Sequence, residues 1–118
     1  MAPANDVNAR PPTERETALM TRLFAYSPEL LAQAVSAQVE PNCACGCGSF
    51  TVHVDPLLSP ATAALEHGMW EHSLWNEERG IEVMFWTRGG FISGVEITYF
   101  MPEHPPEGVP EVAGFRDA

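Results

Sequence analysis

Residues 81–100 read IEVMFWTRGGFISGVEITYF, and their period decides the fold. Ile81, Val83 and Phe85 alternate with Glu82, Met84 and Trp86, the period of two that marks a strand with distinct faces. Arg88-Gly89-Gly90 supplies the positive-φ residues of a tight hairpin turn. The run that follows alternates again, with Phe91, Ser93, Val95, Ile97 and Tyr99 expected on one face. Upstream, "MWEHSLW" (69–75) and the polar link Asn76-Glu77-Glu78-Arg79-Gly80 read as a preceding strand and turn. Phe50, Val52 and Val54 alternate with Thr51, His53 and Asp55 as a further strand.

The first part of the chain has a period of 3.6. Thr13-Glu14-Arg15-Glu16 has the form of a capping box, in which the threonine hydroxyl and the glutamate carboxylate satisfy each other's backbone N–H groups. Leu19, Met20, Leu23 and Phe24 then form an apolar stripe, which predicts a helix over about 14–25. Ser27-Pro28 starts a second helix to about Ser36, with Leu30, Leu31, Ala34 and Val35 on its apolar face. The fold class is therefore α+β: two N-terminal helices packed on an antiparallel sheet of about four strands. Residues 1–12 read as a disordered lead, 13–101 as one domain and 102–118 as a Pro-rich tail.

Large residues stand on both faces of the long hairpin. Met84, Trp86, Ile92 and Phe100 would form an apolar patch on the face away from the helices, unless the tail lies across it. The charge around this patch is one-sided. The chain has 118 residues, sixteen acids against six arginines, no lysine, and a net charge of −10. Such a field repels nucleic acid and anionic membranes and attracts a basic protein. Trp70, Glu71, Trp75, Glu77, Glu78, Glu82, Trp86 and Glu96 are the candidate contact residues, since aromatic anchors within a charged rim are the usual anatomy of a tight interface. No apolar run approaches the ~18 residues of a membrane span. The start, MAPANDVNARPP, has no apolar stretch of the secretory kind, so a cytoplasmic location is expected.

All three cysteines fall within Pro41–Asp55, PNCACGCGSFTVHVD. Cys43, Cys45 and Cys47 share a parity with His53, and zinc is the ion such a set would hold. The C-x-C-x-C spacing is not that of a zinc knuckle, and no second cysteine pair exists. The competing reading makes the thiols small buried hydrophobes beside Gly46 and Gly48 at a strand's start. A redox role is disfavoured, because the cluster precedes a strand in acidic surroundings. "EHGMWEH" (66–72) puts its histidines five apart, where a helical zinc motif needs four. No nucleophile elbow or phosphate-binding glycine loop is present, so a binding protein is expected ahead of a small metal-binding domain and of an enzyme of unknown chemistry, with no cofactor beyond that zinc.

The Cys45-Gly46-Cys47 turn feeding Thr51-Val52-His53-Val54-Asp55, followed by Gly90-Phe91-Ile92-Ser93 with Val95 and Glu96, resembles a group of small actinobacterial proteins. The resemblance spans roughly residues 15–100. Small acidic proteins of this type look like the immunity proteins of toxin systems, which implies an inhibitor that binds a basic partner. It carries over no catalytic residue.

Overall fold

A computed structural model describes residues 8–42, 46–61 and 72–118. Helix α1 spans Glu14–Leu23 and opens with the expected capping box. The Glu16 amide donates to Thr13 Oγ1 at 3.2 Å, and the Thr13 amide donates to Glu16 Oε1 at 2.8 Å. Helix α2 spans Pro28–Val35, with the Ser27 hydroxyl accepting from the Leu30 amide. Strands β1 (Gln38–Pro41), β2 (Phe50–His53), β3 (Leu74–Asn76), β4 (Ile81–Arg88), β5 (Phe91–Tyr99) and β6 (Arg116–Asp117) follow. They form one antiparallel sheet in the order β1-β2-β5-β4-β3-β6. The sheet thus has six strands, not about four. Residues 69–71, expected to begin β3, lie outside the described residues.

The helices cover one face of the sheet. Leu19, Met20, Leu23, Phe24, Leu30 and Ala34 meet Phe50, Val52, Leu74, Ile81, Val83, Phe85, Val95 and Ile97 in a single buried cluster. At its centre the Phe24 ring meets Phe85 edge-on, centroids 4.8 Å apart. That is the preferred arrangement of two aromatic quadrupoles.

Two expected faces are corrected. The β4–β5 register shifts between Trp86 and Thr87, so that Trp86 opposes Gly94 while Thr87 opposes Ile92. Ser93 is the extra residue of a β-bulge, and a bulge reverses the parity beyond it. Ile92 therefore turns into the core instead of joining the outer patch, and Phe91 and Ser93 leave the core face. On α2, Val35 is 81% exposed, and Gln33 is buried beside Leu30 and Ala34. The reason is polar. Gln33 Nε2 donates to the carbonyls of Gly90 (2.9 Å) and Ser59 (3.2 Å), and its Oε1 accepts from the Ile92 amide at 2.9 Å. One side chain thereby satisfies the backbone at the bulged end of the hairpin.

Arg10, near the end of the lead, and the tail both dock. Arg10 exchanges backbone hydrogen bonds with Val39, and its guanidinium grips the Glu16 carboxylate through two bonds of 2.7 and 3.0 Å. The tail runs beside α1 and not across the outer face of the sheet. Val109, Val112 and Phe115 pack on the core, Arg15 pairs with Glu111, Arg22 pairs with Asp117, and β6 extends the sheet next to β3. Where the tail passes the 46–48 turn, the Gly108 amide donates to the Gly46 carbonyl at 2.7 Å.

Burial opposes ionisation of Glu16, but the Arg10 guanidinium and the Thr13 amide outweigh it and hold the carboxyl below its ordinary 4.5. A carboxyl whose folded value is depressed adds stability above the unfolded value and loses it as pH falls through the folded one. Urea unfolding is therefore expected to show wild-type stability falling on acidification below pH 4.5. Glu16→Gln should be less stable near neutrality and should show a flatter acid limb. An unchanged acid limb in Glu16→Gln would remove this residue from the account.

Candidate docking surface on the outer face of the sheet

Strand register fixes which side chains share the face turned away from the helices. One row across the sheet runs Glu40, Thr51, Gly94, Trp86. The next holds Glu96 opposite Met84, and a third runs Thr98, Glu82, Trp75, Arg116. Opposed side chains in such rows stand about 5 Å apart at Cβ. Phe100 stands at the margin, 57% exposed, its ring centroid 6.0 Å from that of Trp75.

Gly94 shapes this surface. A Cβ built on it would lie 2.3 Å from Trp86 Cζ2 and 2.6 Å from Cη2, so the indole rests directly on the glycine backbone. Sequence reading passed over Gly94, although a glycine inside a strand is itself a signal of close approach. The result is an aromatic plate beside Met84, with Glu96 two residues along β5 from the glycine beneath it.

Among the eight proposed contact residues, Trp75, Glu82, Trp86 and Glu96 come together on this face. Glu77 and Glu78 stand exposed in the β3–β4 turn, directly beyond the Trp75 end of the sheet. Trp70 and Glu71 lie outside the described residues.

Charge is divided between the two sides. Arg10 pairs with Glu16, Arg15 with Glu111, Arg22 with Asp117 and Arg79 with Glu107. Four of the six arginines are thus engaged with acids of α1 and the tail, and none of these pairs involves Glu82 or Glu96. Hydrogen bonding by Arg22, aided by His72, holds the Asp117 carboxyl below its ordinary value. Arg116 stands on the outer face beside Trp75.

Of the proposed metal set, Cys47 and His53 stand at opposite ends of β2. Cys47 lies before the strand, with its thiol 3.4 Å from Ser49 Oγ, while His53 ends the strand and meets Glu40 Oε1 at 3.1 Å. The four residues of β2 separate them by roughly 10 Å or more. Cys43 and Cys45 lie outside the described residues. Among the described residues, no three His, Cys, Asp or Glu side chains are grouped to hold a metal ion.

A groove of about 460 Å³ borders the outer face where β2 and β5 part, lined by Asn42, Cys47, Ser49, Glu96, Thr98 and Tyr99 among others. Ser49 Oγ stands in for the missing strand there, accepting from the Ile97 amide at 2.8 Å. Among the described residues no helix is long and apolar enough to cross a membrane. No family model matches the chain, and no curated protein or solved structure matches it either.

Proposed function

We propose that this protein is a non-enzymatic acidic binding module, of the inhibitor or toxin-immunity kind, that docks a basic protein partner on the outer face of its sheet. The observation that carries the reading is the convergence of Trp75, Glu82, Trp86 and Glu96 on one face. The helices and tail pack on the opposite face, where Arg10, Arg15 and Arg22 are paired. An aromatic centre of this kind excludes water, and the acids around it speed encounter with a positively charged surface and select for it. Its place of action is the cytoplasm.

The test is capture from lysate by the full chain, by Glu82→Lys/Glu96→Lys, and by Glu14→Lys/Glu111→Lys as a control on the helix side. The expected result is a basic protein held by wild type and control, with affinity at least about tenfold lower for the outer-face variant and falling as salt rises. Equal capture by all three proteins would refute the assignment of this face.

The metal reading now rests on the three thiols of residues 43–47 without His53. Structural zinc binds tightly, so elemental analysis of untagged protein showing less than about 0.2 equivalents would end it.

A further inference from the structure

Within the outer face, one cluster has a chemistry more specific than negative charge. Met84 stands at its centre, with Glu82 and Trp86 two residues away on either side along β4 and Glu96 directly across on β5. Trp86 is pressed against Gly94 through Cζ2, Cη2 and Cε2 of its six-membered ring, so the sheet backs the indole there. The carboxylate of Glu96 projects from the strand beneath that plate, about 7 Å along from Gly94. Glu96 is exposed, while Glu82, Met84 and Trp86 are half-buried.

Resting on the basic-partner reading above, we infer that this notch takes an arginine side chain of the partner as its anchor. A guanidinium is planar and weakly hydrated, so it stacks on an indole while its N–H edge bonds a carboxylate in the same plane. The indole with the Glu96 carboxylate beside it offers both contacts at once, Glu82 adds negative charge further along β4, and the Met84 thioether gives the arginine's methylene stem a polarisable floor. A lysine ammonium is a compact, strongly hydrated point charge, and it can satisfy the carboxylates or the ring but gains little from having both. Arginine should therefore be preferred to lysine here by more than charge alone provides.

The experiment titrates the full chain, at low ionic strength, with an octapeptide of alternating arginine and glycine and with its lysine counterpart. The indole N–H resonances of the tryptophans report the site. The expected result is binding of the arginine peptide about tenfold tighter than the lysine peptide, with the Trp86 indole signal shifted most. Trp86→Leu should bring the two affinities within about twofold. Glu96→Gln, an exposed and isosteric change that leaves the fold intact by circular dichroism, should weaken the arginine peptide more than the lysine peptide. Equal affinities in the wild type, both weakened by Glu96→Gln, would overturn the arginine anchor and leave the basic-partner reading standing. Failure of both peptides to bind with a Kd below about 1 mM would overturn both.

Discussion

Gln33→Ala is expected to destabilise the protein by about 3 kcal/mol. Gln33 is 1% exposed, and its amide makes three hydrogen bonds to the backbone around the bulged hairpin. Truncation leaves a cavity and strips the buried Ile92 N–H of its acceptor. The Gly90 carbonyl is less affected, since it still accepts from the Ala61 amide at 2.8 Å. Gln33→Leu separates the two contributions, because it keeps the volume and loses the bonds. It should cost about 2 kcal/mol, the share of the unsatisfied amide. Chemical denaturation of the three proteins measures both differences. A Gln33→Leu variant as stable as wild type would show that the bonds to the hairpin contribute little.

Gly48→Ala should cost a similar amount, about 3 kcal/mol, by a different route. Gly48 has φ of +86°, and an added Cβ would stand 2.5 Å from both the Gly108 carbonyl carbon and the Val109 nitrogen. The neighbours are backbone, which cannot swing aside as a side chain would. Left-handed strain and overpacking each cost on the order of 1–3 kcal/mol. The relief open to the molecule is withdrawal of the tail, at the expense of the Tyr99 hydroxyl's bond to the Gly108 carbonyl and of the packing of Val109, Val112 and Phe115. Hydrogen exchange should accordingly quicken most in residues 108–118, including the amide of Ala118 just past β6, which donates to the Ser73 carbonyl. Exchange that quickened evenly over the whole chain would contradict the idea of a separately docked tail.

Both sites lie where the sequence was least legible. The caps of α1 and α2 and the Gly89-Gly90 turn are local chemistry, written in consecutive residues, and they stand where the sequence places them. The long hairpin's alternation likewise puts Glu82, Trp86 and Glu96 on a common face without any knowledge of tertiary contacts. Strand β1 has four residues and ends in proline, and β6 has two, so neither carries a periodic signal. Their pairing depends on what the rest of the chain leaves open. The bulge at Ser93 is a tertiary choice, made where Gln33 reaches in from α2. The tail's Val109, Val112 and Phe115 are scattered among prolines and glycines, and only the groove beside α1 gives that spacing a meaning. His53 shares parity with the cysteines in sequence, but strand length carries it away from Cys47 to Glu40.

On the proposed function, partner recognition belongs to the outer face of the sheet. Chemical-shift mapping of the isotopically labelled full chain against the captured basic partner tests it most directly. The largest perturbations are expected at Trp75, Glu82–Trp86 and Gly94–Thr98, with the helix-side residues Glu14–Arg22 and Val109–Glu111 nearly unmoved. Perturbations concentrated on α1 and the tail, with the Trp86 indole unshifted, would contradict it.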